Sequence, residues 1–268
     1  MAGVEEMATV RGGHVVFTSA QDDIQKNTIP QMVANRLVRA VVLKVSINMP
    51  AAWLRKIQTQ VPTVLVMQRL PDHSIPSVMC DNYEAIFKVL DHLSKLGHKR
   101  VGFFSEDDGE ATSIHHAERQ DAFVRSLSHF GFVQRAEYIQ TPARDLARGE
   151  KMEDVVHKGL RAFLALKSER PTAIVCAADI YALTIMKLIS GYGFSVPGDI
   201  SVTGIMNTLS CDFSDPSLTS VSLLESEIGK AAVDLLHRRM TNPDAVVSHT
   251  VVGTRLIERR SCAAPKSA

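Results

Sequence analysis

Short apolar runs alternate with longer amphipathic stretches along almost the whole chain, the pattern of strands spaced by helices. The runs at 14–19 (HVVFTS), 38–45 (VRAVVLKV), 62–67 (PTVLVM), 101–105 (VGFFS), 172–177 (TAIVCA), 199–205 (DISVTGI), 218–223 (LTSVSL) and 250–256 predict strands. Helical periodicity covers 2–11, 22–37, about 50–60, 82–96, 112–131, 150–168, 179–192 and 225–240. The punctuation agrees: Gly12 and Gly13 stop the first helix, Asp22 and Asp23 stand where N-cap acids belong, and Gly97 follows a helix as a C-cap. Apolar runs such as TVLVM and AIVCA suit strands covered on both faces, so the fold class is α/β, with parallel sheets built from right-handed crossovers. The acidic segment 105–110 (SEDDGE) breaks this alternation and predicts the first passage between two lobes. The expected division is an N-terminal lobe of 1–105 plus 223–250 and a C-terminal lobe of 106–222 plus 251–268.

Charge narrows the partners. Lys and Arg total 30 against 29 Asp and Glu, a formal net charge of +1 over 268 residues. A free-standing DNA-binding domain carries a basic footprint, which this balance does not supply. The four cysteines, Cys80, Cys176, Cys211 and Cys262, are scattered, with no C-x-x-C pair for zinc or redox work. They predict reduced, mostly buried thiols and a cytoplasmic protein. The first residues, MAGVEEM, carry two early acids and no apolar core, so they do not read as a secretory signal. No run approaches the ~18 apolar residues of a membrane helix.

Six segments, at 80–103, 119–123, 171–182, 196–204, 215–232 and 255–262, taken together and in order, resemble the effector domain of the LacI/GalR family. Cys80, Asp81, Asn82 and Tyr83, then His92, Leu93 and the stretch LGHKRVGF at 96–103, are similar to the family's "V-x-x-D-N" and "H-L-x-x-x-G-H-x-x-I". Arg119 with Phe123 resembles "R-x-x-G-F", and PTAIVCAAD at 171–179 with Ala182 resembles "P-T-A-I-F-C-x-N-D-x-x-A". VPGDISVTG at 196–204 resembles "V-P-x-D-I-S-V-x-G". DPSLTSV at 215–221 followed by Ile228, Gly229 and Ala232, and finally Arg255, Leu256, Ile257 with Arg259 to Cys262, complete the set. The resemblance implies a two-lobed fold of the periplasmic-binding-protein-like type I, with a ligand cleft between the lobes and a homodimer that closes or opens to reposition DNA-binding heads.

It also implies a head, a hinge helix and a first strand ahead of the segment matched here. The chain is therefore expected to start inside the helix after that strand, leaving the N-terminal lobe without its central strand. A truncated reading frame, a fragment, or a sheet completed by a partner would each account for this. Operator DNA is then an expected partner only through such a head.

Arg119 leads the candidate site. Phe123 and Leu127 follow it at four-residue steps, with Ala122 and Phe130 alongside, so a guanidinium heads an apolar helix face. Such a group either snorkels to water or holds a partner. The resemblance implies the second, as an effector contact. Asp81 and Asp179 each end a strand and open a helix, where α/β sheets place ligands and where plain N-caps also sit. Met206 stands where the family usually has an acid for ligand hydroxyls. It cannot make that charge-assisted bond, so it predicts either an apolar ligand contact or a core residue. His115 and His116 point about 100° apart on a helix and predict surface histidines rather than a metal site. Gly191 and Gly193 follow a helix rather than a strand, which excludes a dinucleotide loop. No G-x-S-x-G, H-E-x-x-H or phosphate-loop motif occurs, and no cofactor, metal or catalytic residue is predicted.

Three functions remain in order: a small-molecule sensor of a transcriptional regulator, a solute-binding protein of a transporter, and a small α/β enzyme. The second shares the expected fold but would carry a secretory signal. The third would need a nucleophile, metal or cofactor motif.

Overall fold

The structure, a computed structural model, describes residues 2–44, 49–107 and 114–266. Contacts divide the chain into two units, Met1–Cys80 with Leu224–Val252, and Asp81–Leu223 with Gly253–Ala268. Both are α/β with largely parallel sheets, as the alternating pattern predicts.

The first unit holds a four-stranded parallel sheet in the order β1-β2-β3-β9, from β1 (Val41–Lys44), β2 (Thr63–Val66), β3 (Ser77–Cys80) and β9 (His249–Val252). Helix α4 (Ala51–Gln58) buries Trp53, Leu54 and Ile57, which its three- and four-residue spacing puts on one face. They pack with Leu43, Leu65, Leu70 and Ile75, and the Trp53 indole N–H donates to the Thr28 carbonyl at 2.7 Å. Helix α1 (Ala2–Val10) packs on α10 (Glu225–Thr241), where Arg11 pairs with Asp234 at 2.7 Å.

Two expectations fail in this unit. Residues 14–19 form no strand; Val16 and Phe17 are exposed, and among the described residues nothing offers the segment a hydrogen-bonded ladder. An extended apolar run without a partner leaves its backbone to water. The helix expected over 22–37 splits into α2 (Gln21–Lys26) and α3 (Gln31–Ala34). Asn27 turns left-handed at φ 51°, closing α2, and Pro30, which has no N–H for a continuing helix, precedes α3. The strand expected over 38–45 is ordered as β1 alone, and Val45 lies outside the described residues.

The second unit holds a six-stranded sheet in the order β10-β8-β7-β6-β4-β5. Its members are β4 (Val101–Phe104), β5 (Ile139–Gln140), β6 (Ala173–Cys176), β7 (Ser201–Ile205), β8 (Thr219–Ser222) and β10 (Arg255–Ile257). All neighbours are parallel except β10, which runs antiparallel to β8. Helix α5 (Asn82–Lys95) leads into β4; α6 (Ile114–Ser126), α7 (Met152–Ala165) and α8 (Asp179–Ile189) connect the parallel strands from β4 to β7, with the short α9 (Ser210–Phe213) after β7.

The lobe boundary expected after residue 105 is corrected to Cys80–Asp81. Strand β4 pairs with β6 over Val101–Phe104, so the chain from α5 through β8 belongs to the second unit. The later passages fall at Leu223–Leu224 and Val252–Gly253, and the second splits the single strand expected at 250–256 into β9 and β10. Of the acidic segment 105–110, residues 108–110 lie outside the described residues, as do the first two of the helix expected from 112.

The C-terminal segment is sewn into the second sheet. Ser261 Oγ donates to the Val202 carbonyl at 2.6 Å and accepts from the Thr219 N–H at 2.8 Å. His98 is buried beneath it, with Nε2 donating to the Ala263 carbonyl at 3.0 Å and Nδ1 lying 2.8 Å from Thr172 Oγ1. Burial pushes the His98 pKa below the usual histidine value.

Candidate ligand-binding site

Because β4, β5, β6 and β7 are parallel, their carboxyl ends meet at one edge of the second sheet, where open α/β sheets present ligand groups. Each strand hands over a polar residue there: Glu106 after β4, Arg144 after β5, Asp179 after β6, and Asn207, next to the apolar Met206, after β7.

Arg119 reaches this edge from α6. Its apolar neighbours Ala122, Phe123 and Leu127 are buried, and the guanidinium is buried with them at 3% exposure. The head does not snorkel. Nε donates to Asn82 Oδ1 at 2.8 Å and Nη1 to the carbonyl of Ala177 at 2.6 Å, just past the end of β6. Asn82 in turn donates to Glu118 Oε2 at 2.6 Å and lies 2.9 Å from His115 Nδ1. His115 and His116 are therefore half-buried members of this cluster rather than surface residues, and the His116 ring stands edge-on to Tyr181 with centroids 5.8 Å apart.

Glu106, 3% exposed, is a buried carboxylate that sequence reasoning missed. It pairs with Arg144 through both Nε and Nη2, and accepts from the Tyr181 hydroxyl at 3.3 Å. Its signal lies in the acidic segment 105–110, which reads as a passage between lobes; Arg144 sits in a stretch without periodicity and offers none.

Asp179 and Asp81 do more local work. Asp179 is 1% exposed; Oδ1 accepts from Ser220 Oγ at 2.5 Å and Oδ2 from the Thr208 N–H at 2.7 Å. Both oxygens thus tie the loop after β7 to β8. Gly204 leaves room for this, since a Cβ there would stand 2.3 Å from Asp179 Oδ1. Asp81 caps α5 by accepting from the Glu84 N–H at 2.8 Å. Met206 is not core: its side chain is 40% exposed and its backbone sits at φ 120°, followed by Asn207 at φ 50°. Positive φ at two successive non-glycine residues marks stored strain, the kind found at binding sites.

The thiols take no part. Cys80, Cys176 and Cys211 are buried, and desolvation raises the Cys176 pKa well above its usual value and that of Cys211 to about 11, keeping both protonated. Among the described residues no cluster of three or more His, Cys, Asp or Glu could hold a metal ion.

A chain with this sheet and this buried polar edge is of the periplasmic-binding type. Its residues 90–262 match the model of the periplasmic binding protein-like domain, and the chain belongs to that family. It is 27% identical over 257 residues to the HTH-type transcriptional repressor CytR of Escherichia coli (strain K12), covering 96% of this chain and 71% of that one. It is 28% identical over 261 residues to catabolite control protein A of Priestia megaterium, covering 96% and 75%. Among solved structures, the transcriptional regulator CelR in complex with cellobiose superposes with a TM-score of 0.77 at 20% identity, covering 97% of this chain and 77% of that one. A LacI family regulator from Enterococcus faecium with bound ribose does so at 0.75 and 17%, covering 99% and 93%. Within its family, the chain is an effector-binding domain of the LacI/GalR type, a ligand-sensing regulator domain.

Proposed function

We propose that this domain senses a small polyhydroxylated molecule, a sugar or a molecule carrying one, at the strand-end edge of the second unit. The observation that carries this reading is the buried Arg119 guanidinium held at the end of β6. A desolvated cation with fixed orientation gives a ligand oxygen a charge-assisted bond at little reorganisation cost. Met206 supplies an apolar contact where the resemblance implies an acid, which favours a ligand with one less hydroxyl at that point. Asp179 and Asp81 act by holding the loop and the helix start. The structurally similar regulators solved with cellobiose and with ribose support the ligand class.

Occupancy sets the operator affinity of a regulator of which this chain is the sensor, and the sensor works as a cytoplasmic homodimer without enzymatic activity. The repressor relatives support the regulator over a transporter's solute-binding protein. Leu209 and Phe213, 74% and 81% exposed at and beside α9, support a self-association surface.

A thermal-shift screen of ribose, arabinose, cellobiose and nucleosides tests the ligand reading. A ligand at 100 times its Kd stabilises by about 2.7 kcal/mol, which raises the Tm of a chain this size by roughly 5–10 °C. A saturable rise with at least one of them is expected; none across the panel at millimolar concentration overturns the reading.

A further inference from the structure

We infer that Arg259 is the positioning residue of the effector loop after β7, an inference that rests on reading Met206 as a ligand contact. Four hydrogen bonds leave this one residue. Its backbone N–H donates to Thr219 Oγ1 at 2.9 Å, and its guanidinium donates to Asp212 Oδ1 through Nε, to the Leu218 carbonyl through Nη1 and to Asn207 Oδ1 through Nη2, each at 2.8 Å. The side chain is only 11% exposed. A cation from the C-terminal segment thus grips the loop at Asn207, its short helix α9 at Asp212 and the approach to β8 at Leu218.

The loop needs such a grip. Met206 and Asn207 sit at φ 120° and 50°, and sparsely populated conformations persist only where the surroundings over-determine them. On the sheet side, the Met206 N–H donates to the Val221 carbonyl at 2.9 Å, the Asn207 N–H to Ser220 Oγ at 3.0 Å and the Thr208 N–H to Asp179 at 2.7 Å. These bonds fix the backbone, while Arg259 fixes the Asn207 side chain and the helix that follows. Three acceptors in three directions call for the planar guanidinium fork, which a lysine ammonium on its flexible stem does not reproduce. The side chain of the neighbouring Arg260 is 71% exposed and meets Ser217 Oγ and Asp215 Oδ1 only at 3.4 Å, so it carries the same charge without the grip; its backbone N–H donates to the Ser217 carbonyl at 3.0 Å.

The test uses the whole chain labelled with 13C at the methionine methyls, with Met206 assigned from Met206→Leu. Arg259→Ala, Arg259→Lys and Asn207→Gly, the last removing the acceptor at a position that glycine fits, are each expected to move the Met206 methyl resonance. Arg260→Ala is expected to leave it in place. Titrated with whichever of ribose or cellobiose saturates the unaltered chain, Arg259→Ala weakens binding about tenfold and Arg260→Ala does not. A Met206 methyl that stays put in Arg259→Lys and Asn207→Gly overturns the inference and leaves Arg259 a fold-holding residue. Those two variants decide the matter if Arg259→Ala does not fold. A methyl that moves in a chain that binds neither sugar supports the positioning role and counts against the effector reading alone.

Discussion

Burial gives single residues their roles in the second unit. Arg119 was legible as a guanidinium at the head of an apolar face, but its partner Asn82 was hidden beside Asp81, a residue that reads as an N-cap. Glu106 stayed hidden because nothing in a linker-like acidic segment shows which carboxylate turns inward. His98 shows how burial converts to pH dependence. Its pKa is lowered in the fold, so below about pH 6.5 the unfolded chain takes up the proton first. Stability present above that pH is therefore lost as pH falls through 6.5 towards the folded value. Thermal melts from pH 7.5 to 5 should show a falling Tm, and His98→Gln should flatten that slope; an unchanged slope would remove His98 from the account. Asp179 and Gly204 form a second test. Gly204→Ala would press a methyl on the Asp179 carboxylate and is expected to destabilise by ~1–3 kcal/mol, the usual cost of overpacking. Urea denaturation measures it, and a neutral result would mean that Asp179 moves freely.

At the scale of elements, periodicity located every parallel strand of the second sheet except the two-residue β5, because those strands are short runs rich in β-branched or aromatic residues, buried on both faces, set between longer helical stretches. It failed at 14–19, where the same apolar signal is present and the ladder is not. Apolar alternation reports the capacity to pair, while a strand needs a neighbour as well. It also failed at 250–256, since a passage between units at Val252–Gly253 leaves no hydrophobic signature. Amide hydrogen exchange should accordingly be fast over 14–19 and slow over Ala173–Cys176 in the buried centre of the second sheet. Equal protection in the two segments would show that 14–19 is paired in solution.

For the whole molecule, the ordered set of six motifs indicated the family, and the periplasmic binding protein-like domain matched over residues 90–262, together with the repressor relatives, bears it out. The lobe limits were less legible, because an acidic segment and a true passage look alike in composition. Arg119 is proposed to anchor the effector. Titration calorimetry of the unaltered chain and of Arg119→Ala, using the sugar that gives the largest thermal shift and working well below either Tm, tests it most directly. Arg119→Ala is expected to unfold cooperatively still and to lose about tenfold to over a hundredfold in affinity, the worth of a charge-assisted bond of ~1.5–3 kcal/mol. Unchanged affinity in the folded variant would contradict it.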